Sequence, residues 1–441
     1  MVDTSGESAG GRNTRDSEYQ SVINAWAMYD WANSAFAVVM VTAILPVYYR
    51  ELVLNAGGAP ADATAYWAYT NSISLLLVAL VGPFLGATAD AIGGKKLFLS
   101  IALFLGVLGS AALAWVRNDN FILASLIFSV ANLGFAGGNI FYEALLPHIA
   151  RADDLDRVSA RGYAFGYLGG GLLLFIDVLW LFRPDWFGIP DRAFAVRACF
   201  VSVALWWAVF SLPLLRRSIG RESIQKNGGG AIVNGFVRLC ATLRQVRRYR
   251  QMALFLLAFW IYNDGISTII KLAAAYGDEI GIRHNDMLVA LIVTQLVGFP
   301  SSIAFGSIAN FLGAKRAILA GLAVYAFISI AGFLIRSAWH FFLLAIVVGL
   351  VQGGTQALSR SLFASMVPKT RSSEFFGFFS TGEKVAGIIG PAIFGMIGQL
   401  TGSSRWGIVS VVVLFVAGAL ILMRVDVSEA QRVAKAADGS T

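Results

Sequence analysis

The feature that most constrains this chain is a series of twelve long apolar runs, separated by short polar loops. A helix of about 20 apolar residues crosses the hydrocarbon core of a membrane. We predict spans 1 to 12 near residues 24–49, 66–87, 97–116, 121–146, 163–182, 197–215, 252–274, 287–309, 317–336, 339–360, 375–398 and 406–423. Because the runs are continuous and not alternating, they exclude a closed β-barrel, and the predicted fold class is an all-α integral membrane protein.

The composition supports this prediction and argues against soluble classes. Of the 441 residues, 57% are hydrophobic and 14% are charged, whereas a soluble domain carries about 25% charged residues. The net charge of +8 comes from basic residues in short loops, so nucleic acid is not an expected partner. Cys199 lies in an apolar run and Cys240 in a basic loop, which does not indicate a disulfide framework.

The distribution of lysine and arginine predicts the orientation. Of the 34 lysines and arginines, 23 lie on the side of the two termini, nine lie on the other side, and Arg360 and Lys384 lie within spans. The positive-inside rule therefore predicts that both termini are cytoplasmic. The polar segment 1–23 lacks the order of a cleaved signal peptide, so we expect it to be a cytoplasmic tail, as is 424–441.

The longest cytoplasmic segment, 216–251, joins two groups of six spans. Its nine basic residues, against the single acid Glu222, are Arg216, Arg217, Arg221, Lys226, Arg238, Arg244, Arg247, Arg248 and Arg250. Apolar residues recur at helical spacing at Ile232, Phe236, Leu239, Leu243 and Val246. This pattern predicts a short amphipathic helix on the inner leaflet, with a solvated linker as the alternative.

One loop pattern occurs twice, 220 residues apart. After span 2 it consists of Gly86, Asp90, Gly93, Lys95 and Lys96, and after span 8 of Gly306, Asn310, Gly313, Lys315 and Arg316. Tyr29-Asp30 in span 1 is likewise echoed by Tyr262-Asn263-Asp264 in span 7. The repeat predicts two pseudo-symmetric six-helix bundles, 24–215 and 252–423.

The repeated loop has a physical interpretation as a gate. Its glycines allow two spans to approach closely, and its cations face the negative inner leaflet. A carboxylate at this turn can accept a hydrogen bond from a helix N-terminus of the other half, because helix starts are partly positive. Such a contact would join the halves in one conformation only. A generic cytoplasmic turn is the alternative.

The loop resembles that of the major facilitator superfamily, which reads Gly-x-x-x-Asp-Arg-x-Gly-x-Lys/Arg-Lys/Arg. Here Ala91 replaces the arginine of the first copy, and Asn310 replaces the acid of the second. Within this superfamily, the vacuolar amino-acid effluxers known from autophagy and their bacterial relatives are similar to this chain in three segments, 26–36, 360–364 and 401–405. The resemblance implies efflux of neutral amino acids, in a vacuolar membrane or a bacterial inner membrane.

Ionisable residues inside a span are costly and usually face a cavity or a partner. Asp264 lies near the middle of span 7 beside Tyr262 and Asn263, which indicates a substrate or proton site between the halves. A buried structural acceptor is the alternative. Glu383 and Lys384 lie about as deep in span 11; Lys384 is a candidate for binding an anionic group, or for an interhelical ion pair.

Span 1 carries a second polar cluster, Asp30 and Asn33, which is a candidate for binding substrate, for gating or for a structural network. Asp177 lies toward the outside in span 5. For Glu143 and Arg360, at the cytoplasmic ends of spans 4 and 10, we expect snorkelling or a salt bridge that closes the protein. Trp31, Trp260 and Tyr262 are candidates to line the cavity, and Gly162, Gly166 and Gly170 predict a helix-packing seam.

Nothing in the sequence indicates an enzyme, a metal site or a cofactor. The three histidines are scattered, and no phosphate-binding loop of P-loop type occurs. We therefore predict a secondary transporter, a monomer, whose partners are a small-molecule substrate, membrane lipids and protons. An exporter of drugs, sugars or other metabolites is one alternative, and a non-transporting receptor or scaffold is another.

Overall fold

The computed structural model describes residues 9–117, 119–217, 249–279, 281–386 and 389–439. These residues form helices and no strand, which confirms the all-α prediction. Within them, eleven helices are long and apolar enough to cross a membrane. The remaining crossing, span 11, is helical over Ser372–Ala386 and Ile389–Thr401, on either side of residues 387 and 388, which lie outside the described residues.

Spans 2 to 10 are each one α-helix. In chain order their bounds are Pro60–Ile92, Lys95–Ala112, Phe121–Ile149, Leu155–Phe182, Arg192–Arg216, Arg250–Glu279, His284–Leu312, Ala314–Gly332 and Ala338–Met366. Span 12 is composed of Ser404–Ser410 and Val412–Met423. Short 3-10 turns cover Leu113–Trp115, Pro184–Phe187 and Lys369–Arg371.

Span 1 contains a π-helix that the sequence did not predict. It runs as an α-helix over Ala9–Ala35, as a π-helix over Phe36–Ile44 and again as an α-helix over Leu45–Asn55. Pro46, at the start of the last helix, has no N–H to give to the preceding turn, which favours a change of hydrogen-bond register there. Stretches of π-helix occur mostly at functional positions.

The two halves meet along span 2 against span 11 and along span 5 against span 8. Small residues make these approaches possible, since lipid supplies no hydrophobic force between helices. A Cβ atom added to Gly377 would lie 2.8 Å from the Cα of Pro83, and one added to Gly298 would lie 2.6 Å from the ring of Tyr167. The predicted seam of Gly162, Gly166 and Gly170 packs against span 1, as expected.

A further helix, Val427–Asp438, follows span 12 within the predicted C-terminal tail. The Asp438 carboxylate accepts hydrogen bonds from the backbone N–H groups of Lys369 and Thr370, at 3.0 and 3.2 Å. This helix therefore contacts the end of span 10 on the side of the termini. The amphipathic helix predicted near 232–246 lies outside the described residues.

Candidate functional site

The first copy of the repeated loop joins the two halves through Asp90. One carboxylate oxygen accepts a hydrogen bond from the backbone N–H of Glu374, in the first turn of span 11, at 2.8 Å. The other oxygen lies 2.9 Å from the ammonium of Lys95. The predicted contact between a loop carboxylate and a helix N-terminus across the bundle is thus present. Its role as a gate stays a prediction.

Three of the four loop cations have partners within the protein, whereas Arg316 is exposed and its position at the leaflet stays a prediction. Lys95 is 6% exposed and pairs with Asp90, so it does not face the leaflet. Lys96 donates to the carbonyl of Arg217, and Lys315 donates to the carbonyls of Met423 and Val425. These two lysines therefore stabilise the negative C-terminal ends of spans 6 and 12, which correspond to each other in the two halves.

The two copies predict unequal effects of mutation. Asp90→Ala removes a charged cap and leaves the buried Lys95 unpaired, at a cost of about 3–5 kcal/mol, because desolvated charges need a partner. The same truncation at Asn310, which is exposed, is the matched control and should leave the melting temperature unchanged. Melting curves of both purified variants measure this difference. Equal decreases of the melting temperature in Asp90→Ala and Asn310→Ala would show that the first loop does not join the halves.

Gly86 brings span 2 against the start of span 11. A Cβ atom there would lie 2.2 Å from the carbonyl oxygen of Ser373. Gly86→Ala should therefore push the halves apart and disfavour the packing of span 2 against span 11 by roughly 1–3 kcal/mol. A thiol at the buried Ser361, as Ser361→Cys, reports this opening by faster labelling with a water-soluble maleimide. Gly395→Ala in span 11, where an added Cβ meets nothing within 4 Å, should not change the rate.

The second contact between the halves is an ion pair inside the bundle. Arg360 of span 10 is 2% exposed, and its guanidinium donates to the Asp30 carboxylate of span 1 at 3.1 Å. Two further donations, both at 2.9 Å, go to the hydroxyl and the carbonyl of Ser159 in span 5. The hydroxyl of Tyr142 donates to the same Asp30 oxygen at 2.7 Å.

This geometry decides between the two expectations for Arg360. The guanidinium does not snorkel, because it is buried among aromatic rings: its carbon lies 4.8 Å from the ring centre of Trp26 and 4.4 Å from that of Tyr163. It forms the expected salt bridge between the halves. Sequence reasoning missed these rings and Ser159 as its partners, since isolated tyrosines and serines at span ends carry no specific signal.

Asn33 lies apart from this ion pair. Its amide donates to the side-chain oxygen of Asn139 in span 4 at 2.6 Å, so it belongs to a polar contact within the first half. Trp31 stacks on Trp206 at 5.6 Å between ring centres. The expected cluster of Asp30 and Asn33 is therefore divided between an inter-half ion pair and an intra-half amide pair.

The polar group of span 7 is almost completely buried. Asn263 and Asp264 are each 1% exposed. One Asp264 oxygen accepts from the backbone N–H of Gly390 in span 11, at 2.6 Å. Among the described residues, the other Asp264 oxygen and both polar atoms of the Asn263 amide have no hydrogen-bond partner. Such atoms are rare in folded proteins and commonly mark a binding site or a bound water.

The remaining predicted positions are distributed around this group. Tyr262 is buried, and its hydroxyl lies 2.6 Å from that of Ser359 in span 10, so it contacts another span of its own half. Trp260 packs on Gly382 of span 11. Glu383 and Lys384 lie in the helix Ser372–Ala386, but their side chains are outside the described part of the structure.

Comparison with known proteins identifies the family. The model of the family described as "Vacuole effluxer Atg22 like" matches residues 18–435. The chain belongs to this Atg22-like family. The MFS-type transporter YxiO of Bacillus subtilis is 37% identical to it, over 92% of this chain and 97% of that protein. Autophagy-related protein 22-1 of Penicillium rubens is 22% identical, over 85% of this chain and 77% of that protein.

Solved structures confirm the fold of this Atg22-like chain. The proton:xylose symporter XylE superposes with a TM-score of 0.71 at 11% identity, over 93% of this chain and 96% of that one. The human organic anion transporter MFSD10 superposes with a TM-score of 0.65 at 14% identity, over 92% of this chain and 99% of that one. The chain is therefore a multi-pass membrane transporter with the twelve-helix fold of the major facilitator superfamily.

Proposed function

We propose that this Atg22-like transporter moves amino acids or similar zwitterions out of a compartment, by alternating access coupled to protons. The observation that carries the proposal is the Asn263–Asp264 group. Three of its polar atoms have no partner among the described residues and are buried inside a transmembrane helix, where they are costly unless a ligand, a proton or water meets them.

The depth of Asp264 suits a transport site. It is the fifteenth of 30 residues in the helix Arg250–Glu279, and therefore lies halfway along span 7. Substrate sites of transporters with repeated halves lie near the midplane of the bilayer, where the repeats meet. A carboxylate in this position can bind the ammonium group of a zwitterion or carry a proton.

Span 11 provides for the opposite charge. The backbone N–H of Gly390, which donates to Asp264, brings a partial positive charge to this point. Lys384, in the preceding helix of span 11, would add a full positive charge for a substrate carboxylate. An acid, a backbone N–H group and a lysine on two adjacent spans would together recognise a zwitterion.

The contacts between the halves support alternating access. Three contacts join the halves at the ends of the spans nearer the termini. They are those of Asp90 with Glu374, Arg360 with Asp30, and Asp156 with Ser361. The charge bias of the loops assigns this side to the cytoplasm. We propose that these contacts close the cytoplasmic side and break when that side opens.

Thermal stabilisation of the purified protein identifies the substrate, because a ligand that binds the folded state raises the melting temperature. The panel contains the twenty amino acids, sugars and organic anions, at matched concentrations and at two pH values. We expect one or more neutral amino acids to stabilise the wild type, with no stabilisation in Asp264→Asn. Stabilisation by sugars or anions alone would contradict an amino-acid substrate and favour the exporter of other metabolites.

A further inference from the structure

A lateral groove lies on the first half, outside the candidate transport site. Its volume is about 570 Å³, which is within the range of roughly 300–1,000 Å³ of small-molecule sites. Spans 5 and 6 and the end of span 3 form its walls, and the residues that matter here are Arg117, Trp180, Phe194, Arg197 and Leu205. It lies toward the membrane surface opposite the termini, because Arg117 follows span 3 and Arg197 begins span 6.

The walls of the groove are apolar and face outward. Phe194 is 46% exposed and Leu205 is 61% exposed, although both are large hydrophobic side chains. Such exposure within a transmembrane helix means contact with lipid. From Arg197 to Leu205 the helix rises about 12 Å toward the bilayer centre, so the groove extends from the surface into the acyl-chain region.

The charges of the groove have one sign. Arg117 and Arg197 both line it, and no acidic side chain of the described residues does. The Arg197 guanidinium donates only to the backbone carbonyl of Ala193, at 3.2 Å, and Arg117 has no side-chain partner in the part of the chain that the structure describes. Two guanidinium groups at a membrane surface, with free donors, match the oxygens of a phosphate group.

We propose that this groove binds one anionic phospholipid of the leaflet opposite the termini. The phosphate lies between Arg117 and Arg197, and an acyl chain packs along Phe194 and Leu205. Trp180 lies at the headgroup level, where indole rings are favoured. The occupant is a lipid and not a soluble anion, because the groove opens laterally and continues along the acyl-chain depth. The site is distinct from the transport site and does not depend on the substrate.

Native mass spectrometry of the purified protein tests this site. The protein is titrated with phosphatidylglycerol and, separately, with phosphatidylcholine of the same acyl chains. Each basic residue near an anionic lipid favours binding by about fivefold, so two arginines predict a preference for phosphatidylglycerol of roughly 30-fold. In Arg117→Gln/Arg197→Gln the two lipids should bind equally.

The matched control is Arg183→Gln/Arg336→Gln, which removes two exposed arginines from the same membrane side without touching the groove. It should keep the preference of the wild type. Arg117→Lys/Arg197→Lys keeps both charges and should keep most of the preference, which provides a readout if the glutamine variant does not fold. Equal binding of the two lipids by the wild type, or an unchanged preference in the glutamine variant, would overturn the proposal.

Discussion

Asp264→Asn is expected to eliminate the pH dependence of transport and to weaken substrate binding roughly 10- to 150-fold. The reason is that a hydrogen bond to a charged group contributes about 1.5–3 kcal/mol, which the neutral amide does not supply to an ammonium group. Asparagine still accepts from the N–H of Gly390, so the contact with span 11 remains. The measurement is the flux of the solute that stabilises the purified protein against heat, here called the stabilising solute, into proteoliposomes at pH 6 and pH 8.

The first half provides a control that is close in character. Asp177 is fully buried in span 5, and it also has one carboxylate oxygen without a partner in the described residues. Its other oxygen accepts from the hydroxyl of Ser202 in span 6, at 3.0 Å, away from the inter-half contacts. Asp177→Asn should keep both flux and pH dependence. If transport loses its pH dependence in Asp177→Asn but keeps it in Asp264→Asn, then Asp264 does not carry the coupled proton.

Asp30→Asn is expected to open the contact between the halves on the side of the termini, which we call the inter-half seam. It leaves the buried Arg360 guanidinium without its counter-charge, which costs about 3–5 kcal/mol in the closed state. A loss of that size shifts the balance between closed and open states by more than about a hundredfold. We expect the thiol of Ser361→Cys, which is buried at this seam in the parent protein, to react with a water-soluble maleimide from the cytoplasmic side.

An exposed ion pair on the same side provides the control. Arg151 and Asp16 approach to 2.9 Å, but their side chains are 54% and 64% exposed. Exposed pairs contribute about 0–1 kcal/mol, so Asp16→Asn should leave the labelling rate unchanged. Slow labelling in Asp30→Asn, equal to that of the parent, would mean that the Arg360 ion pair does not hold the seam closed.

The parts of the fold that follow from local patterns were predictable. Apolar runs gave the spans, and the repeated loop gave the two halves and the reach of Asp90 to a helix N-terminus. The π-helix at Phe36–Ile44 was not predictable, because its apolar residues fit an α-helix equally well.

The candidate site was predictable only in part. Depth along a span identified Asp264 and Asp30 as unusual, because a single sequence shows how far a residue lies from the ends of an apolar run. The partners of these residues lie far away along the chain: Arg360 is 330 residues from Asp30, and Gly390 is 126 residues from Asp264. Pairings of this kind depend on how the helices pack, and the pattern of a single sequence does not indicate them.

The central claim is that the two halves must separate on the cytoplasmic side during transport. Asp156 of span 5 accepts a hydrogen bond from Ser361 of span 10, so cysteines at these two positions can be joined across the seam. The measurement uses Asp156→Cys/Ser361→Cys with Cys199 and Cys240 replaced by alanine. Ser74→Cys/Asn132→Cys is the control, because that pair is in contact, at 2.7 Å, within the first half.

Flux of the stabilising solute is measured after oxidation and again after reduction. We predict that oxidation stops flux in the inter-half pair, that reduction restores it, and that the pair within the first half transports in both conditions. Undiminished flux through the protein with a complete inter-half disulfide would contradict separation of the halves, and with it the alternating-access account.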